Sequence, residues 1–241
     1  RQFYPKAEII GCSTSGEIAG DQVNDNSMVA TAVYFEQTRI QTAHVCMEEG
    51  LDGFKVGEQL ASALNKEGLV HILVLSRGLN INGSDLARGL ADYLPQGIVV
   101  TGGLAGDQAR FEETVTLYND DVQKDMVVAV GFYGSKLRVG YGSMGGWDSF
   151  GLDRLITKSK GNVLYELDGK PALDLYKMYL GERAKDLPAS GLHFPLSLRL
   201  KGSGASLVRT ILSVKEADKS VVFAGDVPEG QTVRLMKANA E

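Results

Sequence analysis

The chain has 241 residues, of which 44% are hydrophobic and 23% charged, so it can bury a sizeable core and has an ordinary globular composition. The formal net charge is −5 and no dense run of Lys and Arg occurs, which argues against nucleic acid as a partner. No apolar run approaches the roughly 18 residues that cross a bilayer, so we expect no membrane partner. The two cysteines, Cys12 and Cys46, form no CxxC pair, which excludes a disulfide framework and suits a reducing, cytoplasmic setting.

The first predicted strand, 7–11, stops abruptly at a glycine. A cluster of small polar residues follows it, Cys12-Ser13-Thr14-Ser15-Gly16-Glu17. A strand that ends in this way presents backbone N–H groups, hydroxyls and a thiol at one edge of a sheet. The polar stretch 16–27 is predicted to be a loop. Segments 28–35 and 39–47 then predict a two-stranded hairpin, because the first is rich in Val, Ala and aromatic residues and the second alternates between polar and apolar.

Two amphipathic helices and two buried strands follow in the predicted order. The ranges are 54–66 and 85–93 for the helices, the second capped by Ser84, and 70–75 and 98–101 for the strands. Strand 70–75 is a continuous apolar run, which predicts a central strand buried on both faces. Strand 98–101 leads into a second Gly-rich stretch, Gly102-Gly103-Leu104-Ala105-Gly106-Asp107. We interpret this stretch as a turn that lies near the first one.

An internal repeat connects the two Gly-rich stretches. Segment 28–35 resembles segment 126–133, which lies 98 residues later, and the strand after each, 39–47 and 136–144, matches at nearly the same offset. The predicted fold class is therefore α+β, with duplicated strand–Gly turn–hairpin units that form mixed, largely antiparallel sheets flanked by helices. The alternative is that hydrophobic hairpins resemble one another by chance.

A second domain is predicted to begin near residue 148. Its expected elements are two strands within 147–167, a helix over 171–180 with Pro171 in its first turn, a polar segment 181–190, and strands at 194–200, 207–214, 220–224 and 232–236.

The chemistry of the two Gly-rich stretches favours binding over catalysis. Ser13, Thr14 and the backbone around them suit an anion or a carboxylate, and Glu17 suits a cationic group such as an amine. The first stretch lacks the Lys of a P-loop and is not G-x-G-x-x-G, so a nucleotide is poorly supported. For Gly102, Gly103 and Asp107, roles in the turn itself and roles in binding stay equally open.

Cys12 and the three histidines provide the alternatives. A nucleophilic Cys needs a base, and neither His44, His71 nor His193 forms a pattern with Cys12, so we interpret Cys12 as a pocket wall and keep a Cys-dependent enzyme as a minor alternative. His44 and His71 are expected to be packing residues. His193, in a loop before Phe194, is the candidate axial ligand if the protein binds haem. No metal-ligand spacing, paired carboxylates or Ser-His-Asp signature occurs.

Four separated stretches resemble the FIST sensory domains of signalling proteins. They are Gly11-Cys12-Ser13-Thr14-Ser15-Gly16-Glu17-Ile18, the Gly102–Asp107 stretch, the run 157–172 ending in Asp168-Gly169-Lys170-Pro171-Ala172, and the late turn 225–236 with Gly225-Asp226-Val227-Pro228-Glu229-Gly230. The resemblance implies a FIST N-like domain over 1–147 that lacks its beginning and a FIST C-like domain over 148–241 that lacks its end.

The resemblance implies a sensory module that is linked to histidine kinases, cyclases or chemoreceptors and binds a small molecule, with amino acids as one candidate class. A subset of the family resembles haem proteins that sense nitric oxide and regulate a partner kinase, so haem is the candidate cofactor. We expect no enzymatic activity. The expected ligand-binding residues are Cys12, Ser13, Thr14, Glu17, Gly102, Gly103 and Asp107.

Overall fold

The computed structural model describes residues 3–48, 50–200 and 206–239, which form two compact units. The N-terminal unit comprises Arg1–Ile81 and Asp85–Gly142, and the C-terminal unit comprises Asn82–Ser84 and Ser143–Glu241. No helix in the described parts of the chain is long and apolar enough to span a membrane.

The described residues of the N-terminal unit form a four-stranded sheet, several short strands and two helices. In chain order its elements are β1 (Ile10–Cys12), β2 (Glu17–Ala19), β3 (Gln22–Asn24), β4 (Arg39–Cys46), α1 (Gly53–Ala63), β5 (Leu69–Ser76), α2 (Gly83–Tyr93), β6 (Val99–Leu104), β7 (Thr116–Tyr118), β8 (Asp121–Gln123) and β9 (Met126–Tyr133). The first two residues of α2 are grouped with the C-terminal unit.

The main sheet of this unit has the strand order β4-β9-β5-β6. β5 and β6 are parallel, whereas β9 is antiparallel to both β4 and β5. The apolar run of β5 is therefore central, as its sequence predicts. Helix α1 begins after Asp52, whose side chain accepts a hydrogen bond from the Lys55 N–H at 2.9 Å. Its fully buried Val56 and Leu60 join the sheet in one hydrophobic core.

Only one strand of each predicted hairpin forms. β4 and β9 are present, but segments 28–35 and 136–144 have no regular secondary structure and are largely exposed, so both strand predictions are wrong. β4 and β9 instead pair with each other, from Arg39 opposite Tyr133 to Cys46 opposite Met126. Because β9 lies between β4 and β5, neither of its edges is free to accept the segment that follows it.

Two further local predictions need correction. The predicted loop 16–27 contains the β2–β3 hairpin, which turns at Gly20 with φ 65°. Helix α2 begins at Gly83, and the side chain of Asn82, rather than that of Ser84, accepts the hydrogen bond from the first turn, here from the Ser84 N–H at 3.0 Å.

The described residues of the C-terminal unit form a nine-stranded sheet with one α-helix. Its elements are β10 (Trp147–Ser149), β11 (Arg154–Lys160), β12 (Val163–Leu167), β13 (Lys170–Pro171), α3 (Ala172–Leu180), two 3-10 helices (Gly181–Asp186 and Ala189–His193), β14 (Leu196–Arg199), β15 (Ser206–Arg209), β16 (Ile211–Lys215), β17 (Ser220–Phe223) and β18 (Thr232–Ala238). The helix buries Leu173 and Tyr176 against the sheet. The predicted polar segment 181–190 is thus partly helical, and segment 207–214 contains parts of two strands.

The α+β class with mixed, largely antiparallel sheets is confirmed by these elements and their pairing. One detail affects the second Gly-rich stretch. β6 continues through Gly102 and Gly103, so the chain turns only after Leu104. Gly102 has φ 150°, and a Cβ at this position would overlap the carbonyl oxygen of Val74 on β5. Glycine is required here because the backbones of β5 and β6 approach closely.

We expect Gly102→Ala to lower the free energy of unfolding by about 2 kcal/mol or more, because the added methyl group overpacks the β5–β6 contact. Gly103→Ala is the matched control. It should stay within about 0.5 kcal/mol of wild type, since nothing lies within 4 Å of a Cβ built at that position. Urea unfolding followed by circular dichroism measures both variants, and equal destabilisation would contradict the assigned role of Gly102.

Candidate functional site

An open cavity of about 270 Å³ lies beside the first Gly-rich stretch in the N-terminal unit. Four of the residues expected to bind ligand line it, namely Cys12, Ser13, Thr14 and Glu17. Seven further lining residues are not among the expected binding residues: Gly16, Asn26, Ser27, Met28, Val29, Gln108 and Arg110. The wall therefore combines a thiol, hydroxyls, a carboxylate, two amides, a guanidinium group and two apolar side chains.

Ser13 joins the two Gly-rich stretches. Its N–H donates to the carbonyl of Val115 at 2.9 Å, and its Oγ accepts from the Val115 N–H at 3.0 Å. Its own carbonyl accepts from the Gly106 N–H at 3.0 Å. A Cβ on Gly106 would lie 2.4 Å from the Ser15 hydroxyl oxygen and 3.1 Å from the Ser15 backbone nitrogen, so glycine favours this close approach. The two stretches therefore lie against each other, as the sequence analysis expects.

Asp107 fixes the loop that carries Gln108 and Arg110. Its carboxylate is buried and accepts hydrogen bonds from the N–H groups of Phe111, Glu112 and Glu113, at 3.2, 2.8 and 3.1 Å. The Asp107 carboxylate therefore bonds within its own loop, and the side chain does not line the cavity. Its role in the structure is to position its neighbours.

Gln108 adopts a backbone conformation that is uncommon for a residue with a side chain. Its φ is 65°, and its N–H donates to the Ser15 hydroxyl at 3.2 Å. Asn26, also on the cavity wall, has φ 54°. Asn tolerates this region, but Gln pays a conformational cost, of the order of 1–3 kcal/mol for a strained residue. Such strained positions cluster at functional sites, which supports a role for this wall.

Glu17 supplies the negative charge of the cavity. Thr14 Oγ1 donates to one carboxylate oxygen, and the Ser27 hydroxyl donates to the other at 2.5 Å. The Ser27 hydroxyl, followed by that of Thr14, lowers the pKa of Glu17 below its ordinary value. The side chain is therefore an anion at neutral pH, with lone pairs left for a ligand cation.

Arg110 supplies the positive charge. It is exposed on the loop after Asp107, and its guanidinium group makes no hydrogen bond or ion pair with any residue that the structure describes. Thr14 and Gly16 also line the cavity, and their N–H groups likewise have no partner within residues 3–48, 50–200 and 206–239. These donors are available to an anionic group in the cavity.

Cys12 lacks the surroundings of a nucleophile. It is half-buried at the end of β1, opposite Thr116 on β7, and burial raises the pKa of its thiol. A raised pKa keeps the thiol protonated, whereas nucleophilic cysteines need the thiolate. The position fits the pocket wall expected from the sequence.

Gly102 and Gly103 are in β6 and do not line the cavity. The expectation that both glycines bind ligand depends on a turn that begins at Gly102, whereas β6 continues to Leu104. Gln108 and Arg110, which directly continue the second stretch, are not among the expected residues. The available signal was a polar segment with an arginine immediately after Gly106-Asp107.

The histidines lie outside the cavity. His44 stacks on Tyr118 with ring centroids 4.4 Å apart, and His71 bonds to Thr101 Oγ1 at 2.9 Å, with a pKa that burial lowers. His193 is exposed at the end of a 3-10 helix and lines neither this cavity nor that of the C-terminal unit.

The C-terminal unit has a much smaller cavity. It measures about 20 Å³ and is lined mainly by apolar residues such as Leu167, Leu175 and Tyr176. A space of this size holds about one water molecule. Among the residues that the structure describes, no cluster of three or more His, Cys, Asp or Glu side chains could hold a metal ion.

Fold and site together define an α+β protein of two units with an open, polar, charged cavity in its N-terminal unit. The chain belongs to the FIST family: a FIST N domain matches residues 1–170 and a FIST C domain matches residues 172–241. The resemblance seen in the four sequence stretches is thereby confirmed. FIST domains are sensory modules of signal transduction.

One relative is the uncharacterized protein MJ1623 of Methanocaldococcus jannaschii, which is 26% identical over 263 residues. The match covers the whole of this chain and about half of that protein. The two family matches meet near residue 171, whereas the compact units meet between residues 142 and 143. The predicted division after residue 147 stays a prediction.

At neutral pH we expect iodoacetamide to modify Cys46 faster than Cys12. Cys46 is exposed, whereas Cys12 is half-buried and its thiol pKa is raised by burial. Peptide mass spectrometry of a time course gives both rates in one sample, with Cys46 as the internal control. A faster reaction at Cys12 would restore the nucleophile alternative.

We expect Ser27→Ala to raise the pKa of Glu17 towards its ordinary value, because the Ser27 hydroxyl is the main cause of the lowered pKa. Ser27→Thr keeps a hydroxyl and should keep the pKa low. A carboxyl ¹³C NMR titration measures all three proteins. Because the folded-state pKa is lowered, the stabilisation from these hydrogen bonds is present above the unfolded pKa and is lost as the pH falls through the folded one. An unchanged pKa in Ser27→Ala would contradict the hydrogen-bond assignment.

Proposed function

We propose that this chain is a non-enzymatic sensory domain that binds a small zwitterionic molecule, of which a free amino acid is the simplest, in the cavity of the N-terminal unit. One observation carries the proposal. The same cavity is lined by an anion, Glu17, and by a cation without a described partner, Arg110. A molecule with one ammonium and one carboxylate group matches this pair of charges.

Each part of the cavity wall has a role in the proposed complex. Arg110 and the N–H groups of Thr14 and Gly16 receive the ligand carboxylate, because charge-assisted hydrogen bonds to a carboxylate are the strong ones. Glu17 receives the ammonium group. The hydroxyls of Thr14 and Ser27 hold the Glu17 carboxylate in place. Met28, Val29 and Cys12 provide the apolar wall for the rest of the molecule.

The size of the cavity restricts the ligand class. About 270 Å³ lies just below the roughly 300–1,000 Å³ typical of pockets for drug-sized molecules. A small metabolite fits such a volume, whereas a nucleotide or haem is too large. No described arrangement around His193 favours the haem alternative, and the raised thiol pKa of Cys12 does not favour the enzyme alternative.

The cellular setting belongs to the same proposal. The acidic net charge and the two free cysteines support a cytoplasmic protein that does not bind nucleic acid. Membership of a sensory family supports a signalling partner such as a histidine kinase or a cyclase. The chain spans about half of the relative that it matches, so the output partner is a proposal for the whole protein.

The test is a thermal-shift screen with each of the twenty proteinogenic L-amino acids. A ligand at about 100 times its Kd stabilises the folded protein by about 2.7 kcal/mol, which corresponds to a rise in Tm of roughly 5–10 °C for a chain of this size. No shift with any of the twenty would overturn the amino-acid version of the proposal.

For an amino acid that shifts the Tm, Arg110→Ala should weaken binding about tenfold or more, the cost of a lost charge-assisted hydrogen bond. Arg110→Lys should recover only part of the affinity, because it keeps the charge without the planar fork. Arg88→Ala is the matched control, since Arg88 lies on α2 and does not line the cavity. Isothermal titration calorimetry measures the four proteins. Equal losses in Arg110→Ala and Arg88→Ala would contradict the site.

A further inference from the structure

One part of the cavity wall is held in place by the N-terminal unit itself. The hydrogen bonds of Ser13 fix the stretch 12–17. The buried carboxylate of Asp107 fixes the loop 108–110 through the N–H groups that follow it. All of these bonds include backbone groups, so they hold the course of the chain as well as its side chains. We name residues 12–17 and 108–110 the fixed wall.

The other part of the cavity wall is attached differently. It belongs to residues 25–38, which we name the wall segment and which contain no helix or strand. Four residues of this segment line the cavity: Asn26, Ser27, Met28 and Val29. In the described part of the chain, the segment makes hydrogen bonds with one group only, the carboxylate of Glu17. The Ser27 N–H donates to it at 3.3 Å and the Ser27 hydroxyl at 2.5 Å.

The wall segment also leaves large side chains in water. Met28 is 88% exposed although it lines the cavity, and Tyr34 is 88% exposed as well. Near the start of β4, the ring of Phe35 contacts that of Phe132, with centroids 5.7 Å apart. The segment is thus attached at Ser27 and at Phe35, and the residues between them make no hydrogen bond or ring contact with any described residue. Few contacts and an exposed backbone give a segment low local stability.

We propose that Glu17 is the positioning residue that attaches the wall segment to the site, and that a bound ligand orders this segment. The second part rests on the proposed function, in which Glu17 receives the ligand ammonium group. A carboxylate has about four lone-pair sites, and Thr14 and Ser27 occupy three of them. An ammonium group can therefore bind Glu17 without displacing Ser27. The rest of the ligand lies between the fixed wall and Met28, whose exposed side chain it covers.

Occupancy of the cavity is converted in this way into order of a surface segment. A ligand shifts a conformational equilibrium only when it interacts differently with the two states. Here the ordered state offers the ligand a second wall, and the disordered state offers it the fixed wall alone. Because the segment runs on from Met28 through the exposed Val33 and Tyr34, the surface around these side chains changes when the ligand binds.

The attachment through Glu17 is tested without ligand, by ¹⁵N relaxation on the full chain. Rigid backbone gives order parameters of about 0.85 and flexible backbone gives values below about 0.6. Glu17→Ala removes both bonds from Ser27 and should lower the order parameters of residues 26–30 by at least about 0.2. Glu36→Ala is the matched control, because Glu36 is an exposed carboxylate of the same segment without a described hydrogen bond or ion pair. It should leave these values unchanged, and residues 127–132 of β9 report whether each variant is folded.

Ser27→Ala is the second variant and keeps the test decisive if Glu17→Ala does not fold. It removes the hydroxyl bond and leaves the bond from the Ser27 N–H, so the order parameters of residues 26–30 should fall by a smaller amount. Unchanged values in the folded variants, or an equally large fall in Glu36→Ala, would overturn the attachment through Glu17.

Ordering by ligand is tested with whichever of the twenty proteinogenic L-amino acids gives the largest thermal shift. At about 100 times its Kd, it should raise the order parameters of residues 26–30 in the wild-type chain by at least about 0.1. An amino acid that binds by calorimetry without this rise would overturn the ordering and leave the proposed binding intact. If none of the twenty binds, the ordering is overturned together with the amino-acid proposal, whereas the ligand-free measurement still decides the attachment through Glu17.

Discussion

The hydrogen bonds of Ser13 are the constraint on which the N-terminal site depends. They connect the end of β1 to Val115 on one side and to Gly106 on the other, so they set the distance between the two Gly-rich stretches. Each such bond contributes about 1 kcal/mol net, but its geometric effect is larger than its energy. Without the Ser13 hydrogen bonds, Glu17 and Arg110 would belong to independent loops. With them, and with Asp107 holding its own loop, the two charges line one cavity.

The main elements of the fold could be predicted because their signals are local. The apolar run of β5 and the four-residue spacing of apolar residues in α1 are visible in a short window of sequence, and both elements form within a few residues of the expected bounds. The choice of strand partners is not local. Segments 28–35 and 126–133 have almost the same composition, yet only the second becomes a strand, because it is inserted between β4 and β5.

The candidate site was only partly predictable for a similar reason. Ser13, Thr14 and Glu17 follow a strand that ends in glycine, which is a pattern that sequence reasoning detects. Arg110 belongs to a loop without periodicity, whose course depends on the three N–H groups that Asp107 collects. Gly102 illustrates the opposite error, since a glycine that suggests a binding turn serves the close approach of two strands. The structure brings the opposite charges of Glu17 and Arg110 to the cavity, whereas burial raises the pKa of the Cys12 thiol.

The most direct test of this account is chemical-shift mapping on the ¹⁵N-labelled chain. Amide spectra are recorded during titration with each of the twenty proteinogenic L-amino acids. A binding amino acid should move the amide signals of residues 12–17 and 108–110 and leave those of Gly102 and Gly103 largely in place. Shifts confined to other parts of the chain, for example around His193, would contradict the claim that the charged cavity at the first Gly-rich stretch is the ligand site.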